Sequence, residues 1–289
     1  MQSEQRDDDA QGPRIDRAAL TRVAARLCAA GAPPWLHGEA ARRMAERLTL
    51  IRLRPDPVLD WSGPLGASQA VLRAAYPQAR QIVVRFEGLP ATAEAPARRR
   101  RWPWFGRDDH PASIDEADVE AGQAGLVWSN MLLHASGDPL ALLGRWQRAL
   151  AIDGFVMFSM LGPGSLPELR ELYRERRWGE PMLPFVDMHD IGDMLVHSGF
   201  ADPVMDQETL TLTWPDAASL LRELRTLGAN VSPHRYQGLR TPRWRERLLA
   251  ALAGFASEAG RPQLSFELVY GHAFKAAPRE PVRLSRRKD

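Results

Sequence analysis

Cysteine is almost absent: one residue, Cys28, in 289, which excludes an internal disulfide and a zinc site built from cysteines alone. Long apolar runs are missing too. The best, Gly125 to Leu133, is short and broken by Ser129 and Asn130, well below the roughly 20 residues a membrane helix needs. Neither charge sign dominates, with 38 Lys and Arg against 36 Asp and Glu, so any basic function must be local. The opening Met1 to Asp9 is acidic and polar, where a secretory signal starts basic and turns apolar. The expected molecule is therefore a cytoplasmic monomer without membrane segments. With 44% hydrophobic and 26% charged residues, wholesale disorder and fibrous repeats are excluded, and one large α/β domain or two small ones fit the length.

What is present alternates. Residues 1–13 read as a disordered leader ending at the Gly12-Pro13 break. Helices are expected over Ile15–Ala30, stopped by Gly31-Ala32-Pro33-Pro34, and over His37–Leu50. Next come a strand at Val58–Trp61, a tight turn through Ser62-Gly63-Pro64-Leu65-Gly66, a helix over Ala67–Tyr76 and a strand at Gln81–Phe86. Strands at Gly125–Ser129 and Phe155–Met160 flank a helix over Pro139–Leu150. Helices over Pro167–Arg177, His189–Ser198, Asp216–Leu227 and Trp244–Ala259 accompany strands at Glu208–Thr213 and Leu264–Phe274. Strand and helix in alternation predict a mainly parallel sheet, and the Thr, Phe, Val and Tyr alternation of the last two strands predicts an antiparallel edge pair. Gly88 to Gly122 has no periodicity and is expected to be a long loop, the most mobile internal segment and the first to be cut by trypsin.

Ligands of an open parallel sheet bind beyond the carboxyl ends of its strands. The residues there are Asp60 to Gly66, Glu87, and Trp128-Ser129-Asn130. A glycine turn admits a ligand to the backbone, and an acid after the second strand can accept ribose hydroxyls. By spacing alone, a nucleotide-type ligand and a plain strand-to-helix turn both remain open.

The residues also carry a resemblance. Val58-Leu59-Asp60-Trp61-Ser62-Gly63-Pro64-Leu65-Gly66 is similar to a degenerate first motif of class I S-adenosylmethionine methyltransferases. Leu126-Val127-Trp128-Ser129-Asn130, Gly162 to Leu169, Phe185 to Asp193, and Gly199-Phe200 closely resemble the malonyl-acyl-carrier-protein methyltransferases of biotin synthesis. The likeness runs from about Pro57 to Phe274 and extends to relatives in respiratory complex I assembly, one of them regarded as an arginine hydroxylase. It implies a Rossmann-like class I methyltransferase fold: an N-terminal helical cap (14–54), a methyltransferase-like domain (55–275) with a long basic loop (88–122) and a helical insertion (161–207), and a disordered tail (276–289). It further implies S-adenosyl-L-methionine as cofactor, held by Asp60, Ser62, Gly63, Gly66 and Glu87. Asn130 and His134 would lie at the transfer site, an arginine would meet a substrate carboxylate, and an acyl carrier protein or another acidic protein would be the partner. The departures are Ser62 and Pro64, which stand where the family has glycines, and the stretch after Glu87, which lacks the usual helix and adenine-side acid. The alternative is a non-catalytic relative that binds or assembles.

Asp187, His189, Asp190 and Asp193 have helical spacing that could suit a metal, but helix capping by Asp187 explains them better, so no metal site is expected. The run Arg98–Arg101 beside Trp102, Trp104 and Phe105 is read as a solvated loop or a contact for an acidic protein rather than for nucleic acid. For Asn130 and His134, ordinary capping and a partly buried histidine are the competing readings.

Overall fold

The computed structural model describes residues 15–85, 111–257 and 259–277. Seven strands, β1 (Val58–Asp60), β2 (Gln81–Arg85), β3 (Ala112–Asp115), β4 (Ala124–Asn130), β5 (Leu150–Leu161), β6 (Ala201–Thr213) and β7 (Gln263–Phe274), form one sheet in the order β3-β2-β1-β4-β5-β7-β6. The first five run parallel, while β7 is antiparallel to both β5 and β6. Strand order reverses between β1 and β4, and such a switch point opens a crevice at the carboxyl ends of those two strands.

Central strands buried on both faces need apolar residues at every position. Leu126, Trp128, Phe155 and Met157 pack on one face, against α2 (Trp35–Leu48), α3 (Gln69–Ala75), α5 (Pro167–Arg176), α7 (Ala217–Thr226) and α8 (Pro242–Ala253). Val127, Val156 and Phe158 pack on the other, against α4 (Pro139–Ala149) and α6 (Met188–His197). The first helix, α1 (Arg17–Ala29), sets Ala19 against Leu183 and Val231. Local chemistry fixes the helix starts: Asp16, Asp138, Asp187, Asp216 and Thr241 cap α1, α4, α6, α7 and α8 with their side-chain oxygens. Asp187 accepts from the His189 N–H at 2.8 Å as the cap of α6.

Two expectations change. Residues 88–122 are not irregular throughout, since β3 and a short 3-10 turn, Glu116–Asp118, fall inside that stretch. The strand escaped notice because it has four residues, only Ile114 packs inward, and an exposed edge imposes no alternation. Likewise β6 begins at Ala201, inside the stretch 161–207 expected to be helical. Arg98–Arg101, Trp102, Trp104, Phe105 and Glu87 lie outside the described residues, as do the leader 1–13 and nearly all of the tail 276–289.

Candidate functional site

β1 ends at Asp60, and the chain then tightens into a 3-10 turn, Gly63–Gly66, with Pro64 in its first turn. Asp60, Ser62, Gly63 and Gly66, four of the five expected cofactor residues, are all buried in it. The Ser62 N–H donates to Asp60 Oδ1 at 3.0 Å. Burial raises the Asp60 carboxyl to about 7, against the hydrogen bonds from Ser62 and Gly63 that favour its ionised form. Glycine at 66 is a packing requirement, because a Cβ there would collide with Ser62 Cβ. Gly63 supplies a φ of +57°, which a glycine adopts without strain.

Asn130, at the end of β4, closes this turn. Its Nδ2 donates to the Gly66 carbonyl at 2.6 Å and to the His37 carbonyl at 2.7 Å, and its Oδ1 accepts from Ser159 Oγ at 2.5 Å. The Asn130 N–H donates to Ser62 Oγ. A side chain 1% exposed with every amide atom engaged joins β4, β5, the turn and α2. His37 adds a second tie, Nδ1–H to the Leu65 carbonyl at 2.8 Å. Burial pulls the His37 imidazole down to about 4.

His134 follows in a 3-10 turn, Leu133–Ala135. Its Nδ1 accepts from the Leu161 N–H at 3.3 Å, and its ring meets Phe185 edge-on at 5.5 Å. Burial, with a smaller contribution from His37, lowers it to about 3. Both histidines are neutral at physiological pH. Phe185 also meets Arg170, whose guanidinium carbon is 5.7 Å from the ring centre. The sequence reading named neither His37 nor Arg170. A signal existed for His37, which shares the buried stripe of α2 with Ala40, Ala41, Met44 and Leu48. Arg170 directly follows the stretch Gly162 to Leu169 singled out by resemblance.

S-adenosylmethionine would need open backbone at the first turn and an acid to hold its ribose at the end of β2. Here the Leu65 and Gly66 carbonyls and Ser62 Oγ are bonded to His37 and Asn130. The residue that ends β2 is Arg85, bonded to Asp115 Oδ1 at 2.8 Å and Ser113 Oγ at 3.0 Å. Glu87, the acid expected to hold the ribose, lies outside the described residues. Among them, no group of three or more His, Cys, Asp or Glu is placed to hold a metal, and no helix is long and apolar enough to cross a membrane.

No family model matches the chain. Individual relatives do. A malonyl-[acyl-carrier protein] O-methyltransferase of Laribacter hongkongensis is 35% identical over 282 residues, covering 94% of this chain and 93% of its own. Its counterpart in a Methylovorus species is 36% identical over 269 residues, covering 92% and 88%. The chain belongs to the malonyl-[acyl-carrier protein] O-methyltransferase family. Two solved structures share its fold. The YcgJ protein of Bacillus subtilis has a TM-score of 0.53 at 11% identity, covering 81% of this chain and 98% of its own. The methyltransferase partner of the Haloferax volcanii Trm112 activator has a TM-score of 0.52 at 13% identity, covering 92% and 100%. In this member of the malonyl-[acyl-carrier protein] O-methyltransferase family, the stretch Gly162 to Leu169 is laid on β7: Gly162 N–H donates to the Glu267 carbonyl at 3.0 Å and Leu166 N–H to the Ser265 carbonyl at 2.6 Å. That anchoring sets the start of α5 and with it Arg170.

Proposed function

We propose that this chain methylates the free carboxylate of a malonyl group carried as a thioester on an acyl carrier protein, the substrate its relatives are named for. The observation that carries this reading is identity of 35% over 94% of the chain. The acceptor side supports it: His134, which follows β4, and Arg170 of α5 both meet Phe185. S-adenosylmethionine would supply the methyl group, and Asp60, Ser62, Gly63 and Gly66 of the turn would hold it. An acidic carrier protein suits the cleft of about 430 Å³ between α5, α7 and α8, which Arg225, Arg240 and Arg245 line beside Tyr173 and Trp244. A monomer in a reducing cytoplasm accords with one half-buried cysteine.

A specific observation favours a second reading. The bonded turn and the Arg85–Asp115 pair suit a relative that binds the malonyl carrier without transferring methyl. Calorimetry with S-adenosylmethionine and S-adenosylhomocysteine, paired with mass spectrometry of malonyl carrier protein after incubation with the cofactor, tests the two. A 14 Da gain on the malonyl group, the mass of one CH₂ and about what a methyl ester adds, supports the transferase. Carrier binding with no cofactor heat and no mass gain overturns it in favour of the second reading.

A further inference from the structure

We infer that Arg170 is the residue that receives the free carboxylate of the acyl group, an assignment that rests on the malonyl-carrier reading but not on methyl transfer. Its guanidinium is half satisfied. Nη1 donates to the Pro163 carbonyl at 2.9 Å, while Nη2 is shielded from solvent and has no hydrogen-bond partner among the described residues. A guanidinium stays charged at all physiological pH values, and a buried charged donor left unpaired costs more than the usual 1–3 kcal/mol of an unsatisfied neutral group. Such an orphan is the expected mark of a group whose partner arrives from outside.

No internal acid supplies that partner. Arg170 forms no ion pair with a described residue, and the nearest carboxylate that acts on it, Glu267, accepts instead from the Gly164 N–H at 2.8 Å. His134, which shares Phe185 with Arg170, is neutral and so does not compete for an anion. Arg170 also borders a cleft of about 400 Å³ whose other walls include Met182, Leu183 and Pro184. Arg174 and Glu180 line it too, Arg174 paired with Glu171 and Glu180 accepting from Ser232 Oγ, and the apolar walls beside Arg170 match a short acyl chain that ends in a carboxylate. Phe185, which meets both the guanidinium and the His134 ring, would shield the pair from water.

The geometry also points to the manner of grip. With one Nη1–H committed to Pro163, Nη2 is the nitrogen left to make a charge-assisted hydrogen bond to the carboxylate. This separates a malonyl from an acetyl thioester, which has nothing to offer Nη2.

The test compares binding of malonyl and acetyl carrier protein to the wild type, R170Q and R170K without cofactor, with melting curves run on each. The wild type is expected to prefer the malonyl form by about tenfold or more, the scale of one charge-assisted hydrogen bond. R170Q is expected to lose that preference by weakening malonyl binding alone. R170K, which keeps a charge but not the Pro163 tether in its present form, is expected to retain part of it. If R170Q melts like the wild type and still prefers the malonyl form, the assignment is overturned while the reading of function stands. If R170Q melts much earlier, R170K decides: a folded R170K that keeps part of the malonyl preference supports the assignment, and one with the full preference or none overturns it. A wild type that methylates or binds neither thioester overturns the reading of function, and this inference with it.

Discussion

Asn130 Nδ2 donates to the carbonyl of His37 at 2.7 Å across 93 residues of sequence, tying the end of β4 to the helix that covers the turn after β1. The same nitrogen holds Gly66, so one amide group fixes three segments that share no local contact. N130A removes the side chain and leaves the His37 and Gly66 carbonyls and Ser159 Oγ without this partner. Since each buried group stripped of its hydrogen bond costs about 1–3 kcal/mol and partial relaxation recovers some of it, the variant is expected to lose about 3 kcal/mol in urea denaturation. A loss under about 1 kcal/mol would show that water replaces the amide and that the tie is weak.

Restoring glycines to the turn tests whether its closure governs cofactor binding. The double variant S62G/P64G removes Ser62 Oγ from the Asn130 N–H, clears the side chain packed beside Gly66 and returns a backbone donor at position 64. Calorimetry is expected to show S-adenosylmethionine binding at least about tenfold tighter than for the wild type, near 1.4 kcal/mol. The melting temperature is expected to fall, because two added glycines widen the unfolded ensemble and one buried hydrogen bond is lost. Equal affinity in both proteins would mean that the turn is not what limits binding.

Gly66 and Ser62 are predicted to be coupled. G66A forces a methyl group against Ser62 Cβ, the kind of overpacking that costs about 1–3 kcal/mol. In the S62G background that collision disappears, leaving Ser68 Oγ, which is free to rotate at some expense to its bond with the Gly66 carbonyl. A double-mutant cycle is therefore expected to show that G66A costs at least about 1 kcal/mol less when position 62 is glycine. Strict additivity would mean that the backbone, rather than Ser62, sets the crowding.

Stability should pass through a maximum between about pH 6 and 7. His37 and His134 ionise near 4 and 3 in the folded chain against 6.5 when exposed. Below 6.5 the unfolded state gains protons that the native state refuses, so stability falls as pH falls. Asp60 acts in the opposite sense: its folded value is about 7 against 3.8, so its contribution is full below 3.8 and is lost as pH rises through 7. Urea midpoints at pH 5, 6.5 and 8 check this. H134F should flatten the acid limb and D60N the alkaline one, judged by slope rather than by level. A midpoint that rises steadily from pH 6.5 to 8 would contradict the Asp60 assignment.

Much of this fold was legible because β1, β4 and β5 are apolar at consecutive positions and are punctuated by Pro, Gly and capping acids. The turn from Asp60 to Gly66 stood out for the same reason, and resemblance marked Gly162 to Leu169 and Phe185 to Asp193. Other features depend on distant partners that no local window contains. β3 is defined by its pairing of Ala112–Asp115 with Ile82–Arg85 rather than by its own pattern. Arg170 looks like any solvated helix arginine until Pro163, Phe185 and the cleft are placed around it. Asn130 was marked by its position after β4, whereas its bonds to His37 and Gly66 required the folded chain.

Helix α2 is held at both ends by residues far along the chain. Near its start are the ties to Leu65 and Asn130, and from its later turns Arg43 reaches Glu208, while Arg47 reaches Asp206 and stacks on Tyr270 at 3.9 Å. Arg43 and Glu208 are 165 residues apart. At 5–20 residues per second, a ribosome needs on the order of ten to thirty seconds to deliver the second after the first. Throughout that interval the helix has left the exit tunnel with its apolar stripe of Leu36, Ala40, Ala41, Met44 and Leu48 uncovered. It is made 165 residues before Glu208 and is fully seated only after it, so the exposed stripe belongs to the nascent chain rather than to the finished protein.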